Sequence, residues 1–509
     1  MPLRNRNDQV PKHEAVLMWF RLDLRLADNP ALRAAAETDL PIVPVFIWSP
    51  EEDDPPPGAA SRWWLHQSLS RLDESLRAKG LRLIIRHGPV AATLLSLAKE
   101  AAAGEVFCAR IYEPSALARE AALAAQLQSH GIALHSCNSS LLFDPGSVRT
   151  TAGGMFHIFT PFWRACWNQH GSLRNPEQPP KKLRAPAHWP QSLAISDLQL
   201  EPKIDWAGGI RAAWSPGEEG ARARLRTFAK ESVSHYDKDR DRMDHDGTSR
   251  LSPHLHFGET SPTQIWHALA DKPGAEPYLR QLVWREFSYH LLIERPDIIT
   301  QPFYPQFRNF PWRNNMRWLK AWQRGQTGYP VVDAAMRQLW TTGWMHNRAR
   351  LIVASFLVKH LLIPWQKGAA WFLDTLVDAD LANNTMGWQW TAGCGVDAAP
   401  YFRVFNPVLQ GGKFDPDGEY VRRWVPELGK LPSKWIHKPW AAPPGALTEA
   451  EVKLGKTYPR PLVDHAEARS AALAAFQQMR SGSPNRRRNT GDRGTATAGK
   501  APNKQRKKR

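Results

Sequence analysis

From Ala15 to about Ser140, short apolar runs of strand length alternate with stretches whose apolar residues recur every three or four positions. The runs are AVLMWF (15–20), PIVPVFIW (41–48), LRLIIR (81–86), VFCARI (106–111) and IALHSC (132–137). Near-continuous hydrophobicity over so few residues marks strands covered on both faces, the habit of parallel sheets. Between them Asn29 stands before Pro30, a helix-capping side chain ahead of a proline at the first helical position. Leu65, Leu69, Leu72 and Leu76 form one helical stripe. The pattern predicts an α/β, doubly wound parallel-sheet domain over 15–142, preceded by a polar segment 1–14. No G-x-G-x-x-G follows the first strand, so the usual dinucleotide fingerprint is missing.

The pattern then changes twice. From 143 to 214 the chain is rich in proline and aromatic residues (PEQPPKKLRAPAHWPQ), which predicts a long connector wrapped over the surface. Ser215-Pro216 reads as a cap and proline opening a helix, and amphipathic helical segments without strand patterns run to about residue 480, an all-α half. The stretch 481–509 holds ten Lys/Arg against one Asp and nothing that could build a core, which predicts a disordered basic tail.

Composition narrows the function. In 509 residues no run approaches the roughly 18 apolar residues of a membrane span, so a membrane partner is not expected. The polar opening MPLRNRNDQVPKHE has no secretory-signal core, and a cytoplasmic monomer is the expectation. Cys108, Cys137, Cys166 and Cys394 lack any C-x-x-C pairing, so neither a metal site nor a disulfide framework is expected. The net charge of +18 points to a polyanionic partner. Half of it, +9, lies in the tail, where it can add only salt-sensitive, sequence-blind phosphate affinity. Specific recognition must lie in the folded body.

There, 23 tryptophans pose the main question, because so many large, oxidisable rings suit big cores, stacking on flat partners or electron movement. Tyr236 with DKDRDRMDHDGTSRLSPHLHFGE (237–259) has the make-up of an anion-holding loop, with hydroxyls at Thr248, Ser249 and Ser252 beside Arg250. QLVWREFSYHLL (281–292) brings Gln281, Trp284 and Arg285 onto one side of a helix, where an indole and a guanidinium suit a stacked, phosphate-bearing partner. DADLANNTMGWQWTAG (378–393) crowds acids, amides and a Trp-Gln-Trp triplet into one segment.

This last segment, continued as CGVDAAPYFRVFNP to residue 407, resembles the DNA photolyase/cryptochrome family nearly word for word, as do GYPVVDAAMRQLWTTGWMHNRARLIVASFLVKHLLIPW (328–365) and MWFRLDLRLADNPAL (18–32). The wording is closest to bacterial class I and class III cyclobutane pyrimidine dimer photolyases. The resemblance covers about 15–440 and implies an α/β antenna domain, a connector and a helical domain holding FAD in its reduced, anionic form. It lays Tyr236, Thr248, Ser249, Arg250, Leu251 and Ser252 on the phosphate and ribityl contacts of FAD. Arg285, Asn347, Asp378, Asp380 and Asn384 fall around the flavin, with Asp378 expected to pair with Arg350. A neutral amide at Asn384 adds no negative charge beside an anionic ring. Trp388, Trp365 and Trp312 fall on the family's electron-transfer chain. Trp284 and Trp390 fall on the walls that take a flipped-out dimer, where aromatic faces suit a flat lesion. Arg240, Gln281, Asn347, Arg348 and Leu351 fall on positions facing DNA.

The implied activity is light-dependent repair of cyclobutane dimers in UV-damaged DNA, with Asn384, Gln281, Trp284 and Trp390 nearest the chemistry. Gln281 and Leu351 depart from the Glu and Met usual in dimer enzymes, and Gln is what the (6-4) branch carries. That branch uses a histidine pair, whereas WMHNRARL offers His346 alone. A (6-4) photolyase and a cryptochrome-type signalling flavoprotein are the alternatives. VFCARIYEPSALARE (106–120) keeps Tyr112, Glu113 and Pro114 of the family's antenna segment, and a folate, 5,10-methenyltetrahydrofolate, is expected there rather than 8-hydroxy-5-deazaflavin.

Overall fold

The structure is a computed structural model and describes residues 14–481. The predicted polar segment 1–14 and basic tail therefore fall almost wholly outside the described residues.

Each apolar run of the first half carries a strand: β1 Ala15–Phe20, β2 Ile42–Trp48, β3 Ile84–His87, β4 Ala103–Ala109 and β5 Ala133–Cys137. They form one parallel sheet in the order β3-β2-β1-β4-β5. Four helices cover it: α1 Pro30–Glu37, α2 Ala59–Arg77, α3 Val90–Glu100 and α4 Pro114–Ser129. Alternate β1 residues serve the two faces. Val16, Met18 and Phe20 join α1 and the α2 leucine stripe, while Leu17 and Trp19 join Leu94 and Leu97 of α3 and Leu123 and Leu127 of α4. Burial on both sides explains why β1 reads as an unbroken apolar run. Asn29 caps α1 by accepting from the Leu32 amide, ahead of Pro30.

The stretch 143–214 departs from the predicted surface connector. It contains a helix, Phe159–Gln169, whose Phe159, Phe162, Trp163 and Cys166 are buried in a core shared with helix Glu276–Glu294. Their i, i+3, i+4, i+7 spacing is that of a core-facing helix, but the prolines that follow obscure it. The Pro-rich part does run along the sheet, where the Leu193 amide donates to the Ile85 carbonyl at 3.0 Å and covers the β3 edge. A short helix, Gly208–Ala213, ends the stretch, and the helix expected at Ser215-Pro216 starts at Glu218, two residues later than that pair suggests, because Gly217 at φ 103 makes the turn and occupies the cap position.

From Glu218 onward the chain is helical, and its main core is built by helices Pro330–Thr342, Asn347–Ser355, Trp365–Thr375 and Leu381–Ala392. The two halves meet closely. The Trp64 indole donates to Glu259 at 2.9 Å, and Glu259 also accepts from the Gly217 amide at 2.8 Å. At the start of α2, a Cβ on Gly58 would stand 2.2 Å from the Leu373 carbonyl oxygen, so only glycine allows this backbone approach.

Candidate active site and ligand cavities

Two cavities of about 390 and 380 Å³ lie on either side of the junction between the halves. The first opens at the carboxyl ends of β1 and β2, lined by Phe20, Trp48, Glu113 and Arg119 and closed from the helical half by Leu373 and Leu381. Ligands of open α/β sheets occupy such carboxyl-end crevices.

The second cavity lies within the helical half. Its polar end is the turn Thr248 to Ser252, with Arg250 at φ 52. This turn is held from behind. The Tyr278 hydroxyl donates to Ser249 at 3.0 Å, Arg224 Nε donates to the Ser249 carbonyl at 3.0 Å, and the Tyr236 ring stands edge-on to Tyr278. The Arg250 guanidinium lies between the Trp214 and Trp344 rings at 4.7 and 4.9 Å, and its Nε has no protein partner among the described residues.

Helix Glu276–Glu294 supplies one wall. Gln281, Trp284 and Arg285 all reach the cavity, as their one-sided spacing predicts, and so does Tyr278, which had not been singled out. Trp284 stacks on Phe159, ring centroids 3.6 Å apart and 8° from parallel. Gln281 accepts from Arg240 Nη2 at 3.2 Å and donates to the Pro277 carbonyl at 3.1 Å. Asn347 and Leu351, from the helix beginning at Asn347, line the same space.

Helix Leu381–Ala392 and the residues before it supply another wall. Asp380 caps this helix by accepting from the Asn383 amide, and its second oxygen accepts from the Tyr289 hydroxyl at 2.6 Å. Burial alone would raise the Asp380 carboxyl, but the neighbouring Arg285 guanidinium and the hydrogen bonds from Tyr289 and the Asn383 amide outweigh it and hold it below its ordinary range. Asp378 pairs with Arg350 at 2.7 Å, as expected. Asn384 donates its amide nitrogen to the Ala369 carbonyl at 3.0 Å, which leaves its side-chain oxygen free for a donor in the cavity.

Trp388 also lines this cavity, and its ring lies against Gly368, where a Cβ would stand 2.0 Å from it. Gly368 is one turn along the helix that Trp365 begins. The Arg313 amide, next to Trp312, donates at 2.7 Å to the Leu362 carbonyl in the turn leading to Trp365. The three tryptophans thus lie on successive touching segments, ending at half-buried Trp312.

Trp390, expected on the lesion wall, is half-buried and lies about 200° around the helix from Trp388, on the side of Asn383 and Gly387, which line the second cavity. Arg348, expected to face DNA, lies outside the lining of this cavity, held at 2.6 Å by Asp241 with its guanidinium over the Phe414 ring. Conversely, His256, Trp344 and Phe372 line the second cavity without having been singled out. His256 lay inside the quoted loop segment, but nothing in its spacing showed that it faces inward.

Residues 16–184 match the model of the DNA photolyase family and residues 278–478 that of the FAD binding domain of DNA photolyase. A deoxyribodipyrimidine photo-lyase of Agrobacterium fabrum is 48% identical over 476 residues, covering 92% of this chain and 99% of that one. The chain belongs to the DNA photolyase family. The crystal structure of a bacterial class III photolyase from Agrobacterium tumefaciens superposes with a TM-score of 0.89 at 47% identity, covering 94% of this chain and all of that one, 100%. Cryptochrome-1 of Arabidopsis thaliana is 39% identical, covering 91% of this chain and 70% of its own.

The second cavity fits the FAD that this photolyase domain binds. It offers a hydroxyl- and amide-rich turn at one end, the orphaned Arg250 Nε, an unpaired acceptor on Asn384 and the unpartnered Trp388 indole N–H. Among the described residues no His, Cys, Asp and Glu cluster could hold a metal, and no helix is long and apolar enough to cross a membrane.

Proposed function

We propose that the chain is a deoxyribodipyrimidine photo-lyase that repairs cyclobutane pyrimidine dimers in UV-damaged DNA. Residues 215–480 act as the flavin unit, 15–142 as the antenna unit and 143–214 as the connector. The observation carrying this reading is one cavity that joins a phosphate-holding turn, a neutral amide at Asn384 and the Gln281–Trp284–Arg240 surface.

FAD, when bound in its reduced form, supplies the light-excited electron that opens the dimer ring and then takes it back. The chain's own residues bind and orient. Thr248, Ser249, Leu251 and Ser252, with Tyr236 behind them, hold the phosphates and ribityl chain. Arg285, Asn347, Asp378 and Asp380 surround the ring system, and Asn384 accepts a ring N–H without adding charge. Trp284, its ring steadied by Phe159, stacks on the extruded lesion while Gln281 and Arg240 meet its polar edge, and Leu351 packs beside it. Arg348, at the margin, meets the DNA backbone by exchanging Asp241 for phosphate. Trp388, Trp365 and Trp312 carry electrons inward from the surface to keep the cofactor reduced.

His346 argues against the (6-4) alternative. Its Nδ1 accepts from the Arg348 amide at 3.1 Å, and burial pushes the ring down to about 4, so it serves as a helix cap and stays neutral. The reading includes a folate, 5,10-methenyltetrahydrofolate, in the first cavity in preference to 8-hydroxy-5-deazaflavin, because the half-buried Glu113 carboxyl suits the N–H donors of a pterin edge. It also includes a cytoplasmic monomer. Illumination of the reduced protein with a thymine-dimer oligonucleotide tests the central activity: intact thymines must return in light and not in darkness. The absorbance spectrum of the purified holoprotein tests the antenna.

A further inference from the structure

The two cavities share one partition. His256 lines both, and the turn Asp378 to Leu381, closed by the Asp380 amide donating to the Asp378 carbonyl at 2.8 Å, divides its residues across it, with Ala379 and Leu381 on the first cavity and Asp378 and Asp380 on the second. Tyr289 stands behind this partition. Its hydroxyl donates to Asp380 at 2.6 Å, the Arg285 guanidinium lies 5.2 Å from its ring centre, and the Tyr112 ring meets it edge-on at 6.5 Å. Tyr112 adjoins Glu113, an acid that lines only the first cavity. One buried tyrosine therefore holds the acid of the second cavity and packs on the neighbour of the acid of the first.

We propose that Glu113 acts across this partition on Asp380, so that the charge on Glu113 sets how tightly the second cavity holds an anionic flavin. The inference rests on reading that cavity as the FAD site. Tyr289 and Asp380 are buried, so charges meeting there interact more strongly than at a surface. An ionised Glu113 adds to the negative charge of Asp378 and Asp380 and offsets Arg285 and Arg350. The ligand itself is negative, through its pyrophosphate and through the ring when reduced. A neutral Glu113 therefore favours it.

Glu113 can change charge at working pH. Burial pushes its carboxyl up to about 7, with Asp380 and Asp53 adding to the rise and Arg119 and Arg21 opposing it. Glu52 and Glu120 also line the first cavity, the latter paired with Arg21 at 2.7 Å, and the His256 ring is lowered by burial. Because coupling is reciprocal, bound flavin must raise Glu113 further. Glu113 meets the folate of the proposed antenna site but neither flavin nor DNA, so toward the flavin it is a positioning residue.

The test is the dissociation constant of FAD from the full-length holoprotein, read by flavin fluorescence on dilution between pH 5.5 and 8.5. At pH 5.5 wild type and Glu113→Gln should hold FAD equally, which also shows that the variant folds. Above pH 7 wild type should weaken by roughly fivefold relative to the variant, the low end of common coupling strengths. Glu113→Asp, which keeps a titrating carboxyl, should retain a pH-dependent loss. Parallel profiles for wild type and Glu113→Gln, both binding FAD, would overturn this inference alone. Loss of FAD by Glu113→Gln alone at pH 5.5 would also overturn the inference, whereas failure of wild type to bind FAD at any pH would overturn the flavin-site reading and the inference with it.

Discussion

Arg240 and Gln281 meet on the wall of the second cavity, guanidinium to amide oxygen at 3.2 Å, and the Arg240 cation also lies 5.5 Å from the Tyr236 ring centre. Arg348, by contrast, is matched by Asp241 at 2.6 Å. Gln281 thus orients Arg240 without cancelling its charge. Gln281→Glu would supply a carboxylate and draw Arg240 into an ion pair. Repair of a cyclobutane dimer by reduced protein should survive, with its quantum yield changed by about tenfold or less, the ~1.4 kcal/mol of one altered hydrogen bond. Loss beyond a hundredfold would mean that the amide is indispensable.

Trp388→Phe should abolish photoreduction of the oxidised flavin yet leave repair nearly intact when the flavin is chemically reduced first. Phenylalanine fills most of the space against Gly368 but is far harder to oxidise. The two activities are measured on the same preparation, by absorbance and by an oligonucleotide repair assay. Parallel loss of both would assign Trp388 to the fold or the lesion pocket.

Much of this was legible in the sequence. The strands were visible because burial on both faces forces apolar residues at every position, as in β1. Gln281, Trp284 and Arg285 could be grouped because helical spacing alone brings them together. The Asp378–Arg350 pair came from family likeness. What stayed hidden depends on contacts between distant segments. Phe159 supports Trp284 from a helix buried in proline-rich surroundings, and His256 takes its place from the meeting of the two halves. Family likeness gives the two tryptophans of the triplet different roles, and helical spacing does turn them to different faces.

Glu286 predicts a pH dependence of stability. It accepts from the Leu142 amide at 2.9 Å, and burial pushes its carboxyl up to about 7 despite Arg285 and those backbone donors. The folded state keeps a proton that the unfolded chain releases near pH 4.5. This stabilisation is therefore complete below about 4.5 and lost as pH rises through 7, a span worth roughly 3 kcal/mol. Glu286→Gln should flatten the fall of Tm between pH 5 and 7.5. An unchanged slope would show that Glu286 is ionised throughout.

Deleting residues 482–509 should weaken binding to undamaged DNA far more than it weakens dimer repair at low salt. The stretch 481–509 carries +9 of the +18 net charge, and affinity from counterion release is blind to sequence and lesion. Binding isotherms over a salt series check this, since the slope of log affinity against log salt should fall. A slope identical to that of the full chain would contradict it.

The most direct test of the account is light-dependent repair of two oligonucleotides, one carrying a thymine cyclobutane dimer and one a (6-4) photoproduct, by the chemically reduced protein. The Gln281–Arg240 wall, the stacked Trp284 and a His346 locked as a neutral helix cap predict repair of the first and not the second. Repair of the (6-4) photoproduct alone, or of neither lesion with flavin bound, would contradict it.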